Sequence, residues 1–197
     1  GLVNNVSREA NLLGIEKLKA EKSTNISVGL GSKINDKLNI TVDYYNIGVE
    51  DRIVLSNEIV PPAGPAFQGL SDISFFTNAL DTRTSGIDVV VGYKTAMGKG
   101  KLGVNLAGNY TAENRREGAV KNPAFVTQTG QSVVDKTQEA LFFTSRPKTK
   151  WILGLNYDLN KFSFGLNNTL FGKTTFQQQG MDASIRTEFK PKVVTDL

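Results

Sequence analysis

The sequence predicts an all-β chain, an antiparallel up-and-down segment of a transmembrane β-barrel with about seven strands, too few to close a barrel. Three observations predict it. Apolar residues recur at every second position, connections alternate between short and long, and aromatic rings gather near the ends of the apolar stripes.

A period of two is the signature of a strand with different surroundings on its two faces. Ile26, Val28 and Leu30 alternate with Asn25, Ser27, Gly29 and Gly31; Leu38, Ile40, Val42 and Tyr44 alternate with Asn39, Thr41, Asp43 and Tyr45. Ile87, Val89, Val91 and Tyr93 lead, through Ala96–Gly100, to Leu102, Val104, Leu106 and Tyr110. Trp151, Leu153, Leu155, Tyr157 and Leu159 precede Asn160-Lys161, and Phe162, Phe164 and Leu166 follow. A seventh strand is expected from about Ser184 through Leu197. Residues 1–17 read as a loop or short helix leading into the barrel segment, 18–197.

Short turns are expected near 35–36, 96–100 and 160–161, and long loops near 56–72, 112–147 and 172–184. Loops this long are uncommon in compact domains. Membrane barrels have them, with short turns on one rim and long loops on the other. A soluble β-sandwich also alternates apolar with polar residues. Two details favour the barrel. Tyr44, Tyr93, Tyr110, Trp151, Tyr157 and Phe162 sit near stripe ends, where aromatics suit a lipid interface. The polar face carries Asn, Ser, Thr, Gly and Asp, which suit a wet lumen.

Composition removes several functions. With no His and no Cys, these residues supply no His general base, Ser-His-Asp triad, Cys nucleophile or Cys/His zinc cluster. No enzyme activity, cofactor or metal is expected. The net charge is +4 and the Lys and Arg residues are scattered, which argues against nucleic acid. Gly98-Lys99-Gly100-Lys101-Leu102-Gly103 matches G-x-G-x-x-G, but a strand follows it where a dinucleotide site needs a helix. Asp43 and Asp88 read as lumen-facing charge rather than a catalytic pair.

Leu18-Lys19-Ala20-Glu21-Lys22-Ser23 resembles the "LKPEKS" signature of TonB-dependent outer-membrane receptors, with Ala20 in place of the usual Pro. Ile40–Asn46 followed by Val49–Ile53 is similar to that family's next strand. Phe76-Thr77-Asn78-Ala79 with Thr84–Asp88 resembles its "TNA…GvD/E" strand, and Arg146–Lys150 its return strand. The resemblance covers about 18–197 and implies the C-terminal part of a barrel of about 22 strands. On that resemblance, the plug and the closing strand are expected to lie outside these residues.

The family implies TonB-energised uptake of a scarce ligand such as an iron chelate or cobalamin. Implied partners are outer-membrane lipid, the rest of the barrel, the plug, TonB acting through the plug, and the small-molecule ligand. Arg52, Phe75, Phe76, Asn78, Asp81, Arg83, Arg115 and Arg116 are the candidate ligand contacts, because strand ends and loops carry binding. The competing readings are a passive porin or adhesin barrel and a soluble β-sandwich binding module.

Overall fold

The computed structural model describes residues 1–178, 181–182 and 184–197. The N-terminal segment contains α1 (Arg8–Leu12), capped by Ser7, whose side chain accepts from the Ala10 N–H. The following strands are β1 (Lys22–Ile34), β2 (Leu38–Leu55), β3 (Phe76–Met97), β4 (Gly100–Glu117), β5 (Thr149–Leu159) and β6 (Phe162–Phe171). Two helices, α2 (Ala124–Gln128) and α3 (Lys136–Phe143), lie between β4 and β5. After β6 come β7 (Thr174–Phe176), β8 (Thr187–Phe189) and β9 (Lys192–Asp196). Seven strands form one open antiparallel sheet in the order β1-β2-β3-β4-β5-β6-β9, while β7 and β8 make a separate ribbon.

The strands lie where the period of two puts them, but the loop end differs from the sequence reading in three ways. The seventh sheet strand starts at Lys192, not near Ser184. Pro191 has no N–H to give a ladder, and Thr187–Phe189 ahead of it pairs with β7 instead. The loop expected from 112 starts at 118, because β4 stays paired with β3 as far as Asp81↔Glu117. Arg115 and Arg116 are therefore strand residues. The stretch before β5 is partly helical: Asp135 and Gln138 form a reciprocal capping box at the start of α3. Residues 179, 180 and 183 of the expected 172–184 loop lie outside the described residues.

At the turn end, the connections are tight. Asn35, Asp36, Asn160 and Gly98 all have positive φ, which Asn, Asp and Gly tolerate best. Gly98 thus serves a hairpin between β3 and β4. No described helix is long and apolar enough to cross a membrane, which leaves open crossing by strands.

Directly opposed residues in a sheet share a face, so the register sorts the side chains. Leu30, Val42, Val89, Gly108, Trp151, Leu170 and Val193 form one unbroken row across all seven strands. On the other face, Lys33, Asn39, Gly92, Asn105, Gly154, Asn167 and Asp196 form the matching polar row. The only Gly in the apolar row, Gly108, has the Trp151 ring lying over it, where any Cβ would collide. Trp151 Nε1 donates to Thr149 Oγ1 at 2.6 Å, fixing the ring. On the polar face, Asp43 and Asp88 are directly opposed. Such a like-charge pair is unfavourable; Asn109 offsets it by donating to Asp88 at 2.7 Å. Gly29 leaves the space that the Asp43 carboxylate occupies.

The buried core lies at the loop end rather than between two layers. Ile59, Ile73, Phe75, Leu80, Val126 and Val133 are its largest fully buried side chains, joined by Ala10, Leu13 and Ile15 from the N-terminal segment. Burying side chains of this size contributes about 1.5–3 kcal/mol each before entropy is subtracted. Lys121 ties this core to the sheet, with Nζ at 2.8 Å from Asp51 and 2.7 Å from Asp81. The hydrogen bonds it donates to both carboxylates hold the Lys121 ammonium above its usual range. Asp81, at the loop end of β3 beyond the aromatic rows, is held below the usual carboxylate range chiefly by Lys121.

Two predictions follow from these contacts. Gly108→Val should displace the Trp151 ring, shift the tryptophan emission and lower stability by about 1 kcal/mol; unchanged emission and melting would show that the ring does not rest there. The clamp should be intact at neutral pH. Its Asp81 part is fully present above the ordinary carboxylate value of 3.8 and is lost as pH falls through the lower folded value. Its Lys121 part holds below 10.5 and is lost as pH rises through the higher folded value. Amide-exchange protection of residues 118–135 should therefore fall on acidification, and Lys121→Met should show that loss already at neutral pH.

Candidate functional site

Two β-bulges at the loop end decide which side chains leave the apolar face. In β2, Val49 opposes Thr82 but Arg52 opposes Leu80, so three steps on one strand meet two on the other. Asp51 takes a left-handed conformation there, with φ 54°. Its N–H donates to Asp81 at 2.8 Å and its carbonyl accepts from Asn78 at 2.6 Å. In β4, Thr111 opposes Gly86 and Glu113 opposes Ser85, leaving Ala112 as the extra residue. One added residue reverses the alternation beyond it: in β4 the reversal persists to Glu117, whereas in β2 a second shift, between Arg52 and Ile53, restores the original faces. Strict alternation would put Arg52 and Asn114 on the face of Tyr44 and Tyr110. The bulges turn both to the polar face and send Arg115 to the apolar side.

α3 lies across the polar face at this point. Asn114 Nδ2 donates to the Phe142 carbonyl at 3.0 Å, Arg116 pairs with Glu139 at 3.2 Å, and the Arg52 guanidinium stands 5.3 Å from the Phe142 ring centroid. These contacts border a half-open cavity of about 760 Å³, within the usual size range of small-molecule sites. Thr82, Thr84, Thr111 and Asn114 supply hydroxyls and an amide from the sheet. Leu141, Phe142 and Phe143 supply an apolar wall, and Arg52, Arg146 and Lys148 supply charge. Thr111 N–H donates to the Lys148 carbonyl at 2.7 Å, which fixes the return of the chain into β5.

The charges at this end fall into two groups. Arg83 pairs with Glu117, Arg115 with Glu113 and Glu117, Arg116 with Glu139, and Lys136 with Glu139. The Arg115 guanidinium is held above its ordinary range mainly by Glu113. Arg52, Arg146 and Lys148 make no ion pair among the described residues. The one carboxylate lining the cavity, Glu21, accepts from the Ile53 N–H at 2.6 Å. Among the described residues, no group of three Asp or Glu side chains could hold a metal ion.

Of the eight residues singled out from the sequence as ligand contacts, Arg52 alone lines this cavity. Phe75 is fully buried in the loop-end core, 6.0 Å from Phe125. Phe76 is exposed near the N-terminal segment, where its carbonyl accepts from Asn5. Asn78 and Asp81 support the β2 bulge. Arg83 and Arg115 stand on the apolar side in ion pairs, and Arg116 anchors α3. Sequence reasoning missed Asn114, Phe142, Arg146 and Lys148. The D-x-x-Q cap at Asp135, followed by Ala140-Leu141-Phe142-Phe143, was the available signal for α3.

The six aromatics at the stripe ends all share the apolar face. Tyr44, Tyr110 and Trp151 lie toward the loops; Tyr93, Tyr157 and Phe162 lie toward the turns. On β5, Trp151 and Tyr157 are six residues apart, about 20 Å at strand rise.

Comparisons agree with this architecture. A family model described as TonB dependent receptor-like, beta-barrel matches residues 4–197. A search of curated proteins finds no match. The fold is similar to the FrpB iron transporter from Neisseria meningitidis (TM-score 0.61, 14% identity, 91% of this chain and 24% of that one). It is also similar to the siderophore receptor PirA from Acinetobacter baumannii (0.58, 13%, 90% and 25%). The pyoverdine outer membrane receptor FpvA from Pseudomonas aeruginosa PAO1, bound to pyoverdine, is comparable (0.58, 15%, 91% and 23%). The chain thus spans about a quarter of the length of these structures. With the family model matching almost the whole chain, and an open seven-strand sheet of the matching kind, this chain belongs to the TonB-dependent receptor β-barrel family.

Proposed function

We propose that this chain forms part of the barrel wall of an outer-membrane receptor that takes up a scarce small ligand, such as an iron chelate or cobalamin, using energy delivered through TonB. The observation that supports this most is the pairing of two features in one sheet. A mainly apolar face, interrupted by Ser32 and by the hydrogen-bonded pair Asn168 and Thr195, lies between two aromatic rows, and a cavity with unpaired cations opens on the other face just beyond the loop-side row.

In this reading the apolar face meets lipid. On β4 the span from Tyr110 to Leu102, the partner of Tyr157, is eight residues, about 27 Å, or about 20 Å across the membrane at a tilt of about 40°, which approaches the roughly 25 Å apolar band of outer-membrane barrels. The aromatic rows then sit at the two lipid interfaces, and the long connections are extracellular loops. The exposed edges of β1 and β9 pair with further strands of the receptor, because an unpaired backbone edge is not tolerated in lipid. The polar face lines the lumen, where the plug and the ligand path lie. The residues supply binding and shape, and TonB acts through the plug rather than on this wall.

Spin labels test the placement of the faces, and the chain contributes no competing cysteine. In the complete receptor in bilayers, a label at Leu106→Cys should be relaxed by dissolved oxygen, and one at Asn105→Cys by a water-soluble nickel chelate. A soluble sandwich would shield the Leu106 site from both reagents. Energisation is tested in cells. Accumulation from a panel of labelled ferric chelates and cobalamin should require both this receptor and TonB; equal accumulation without TonB would mean a passive barrel.

A further inference from the structure

We infer that the loop-end cavity selects an anionic ligand that also carries a flat apolar portion. The inference rests on the receptor reading for its biological setting and deepens it by naming the class of ligand.

The argument begins with the charges. The cations on the apolar side of this end are neutralised by carboxylates on neighbouring positions: Arg83 by Glu117, and Arg115 by Glu113 and Glu117. Arg116, on the polar face, is used by Glu139 to hold α3. Three cations on the cavity, Arg52, Arg146 and Lys148, have no carboxylate partner among the described residues. Like charges brought around one cavity repel each other, and the cavity walls lower the local dielectric, which strengthens both that repulsion and the attraction for an anion. Two guanidinium forks favour oxyanions that offer two oxygens side by side, such as carboxylates, phosphates and sulfonates. Glu21 offsets one of these charges, since its carboxylate stays anionic while it accepts from the Ile53 N–H, so the lining keeps an excess of two positive charges.

The second feature is the apolar wall. Phe142 and Phe143 line the cavity beside Leu141, with ring centroids 6.0 Å apart. Phe142 already has a cation at its face, with Arg52 at 5.3 Å. A flat ligand can stack on this wall while its charged edge reaches the two Arg and the Lys. The threonines and Asn114 on the sheet side add short hydrogen-bonding groups. A purely cationic ligand would meet net repulsion, and a neutral one would leave the excess positive charge uncompensated.

The test uses the complete receptor in detergent and a fluorescent probe, pyrene tetrasulfonate, with pyrene methanol as its uncharged counterpart. The tetrasulfonate should bind at least about tenfold more tightly, and its affinity should fall as salt is raised from low to physiological strength. Arg146→Gln and Lys148→Gln should each weaken it about tenfold, whereas Arg83→Gln, outside the cavity, should leave it unchanged. Phe142→Leu should weaken the tetrasulfonate more than benzene sulfonate, which has less surface to stack. Equal binding of charged and uncharged probes, or a salt-independent affinity, would overturn the inference, and the salt series needs no variant to fold. If TonB-dependent accumulation persists while the probe shows no charge preference, the ligand class is wrong and the receptor reading stands. If the probe behaves as expected but no substrate requires TonB, the site stands and the receptor reading falls.

Discussion

Six consecutive strand pairings must keep the same parity for this sheet to have one apolar face. Side chains alternate at every residue, so a slip of one position in any pairing would turn all strands beyond it inside out. The register keeps parity throughout the region between the aromatic rows, from Leu30 on β1 to Val193 on β9. Tight turns at Asn35-Asp36, Gly98 and Asn160 set that parity at the turn end, because a hairpin of fixed length leaves one register. Gly108 and Trp151 add a local lock: a ring occupies the space above a glycine and covers the weakest point of the apolar row.

Departures from strict alternation are confined to the loop end, and there they build the site. The extra residue at Ala112 reverses the faces beyond it, and the left-handed Asp51 turns Arg52 over before a second shift at Ile53 restores the parity of β2. Bulges are common at barrel rims for this reason: they re-aim a side chain without disturbing the ladder below. The β2 bulge is held from several sides, by Asn78, Asp81 and Lys121. The loop-end core of Phe75, Ile59, Val126 and their neighbours then gives the connections a fixed platform, so α3 lies across the sheet instead of trailing into solvent. A rim with its own small core suits a binding cavity, since pre-organised walls lose less entropy when a ligand arrives.

The strands were legible because a half-polar sheet writes its period directly into the chain. The site was only partly legible. Arg52 was found as a charged residue near a strand end, yet its entry into the cavity depends on a bulge that no local pattern marks. Phe75 looks like Phe76 in sequence, but one is enclosed by the core and the other is exposed. Arg115 and Arg116 are adjacent and identical, and they face opposite sides with different carboxylate partners. Pro191 marked the true start of the last strand, and the capping box at Asp135 marked α3; both signals were present and short.

The sequence by itself determined the antiparallel strands, their apolar and polar faces, the tight turns and the family, because these depend on neighbours within a few residues. The tertiary structure decided which face Arg52 and Asn114 join, which cations are paired, and that α3 with Phe142 closes a cavity with Arg146 and Lys148. Those outcomes depend on register shifts and on contacts between segments far apart in the chain, which residue order alone does not specify.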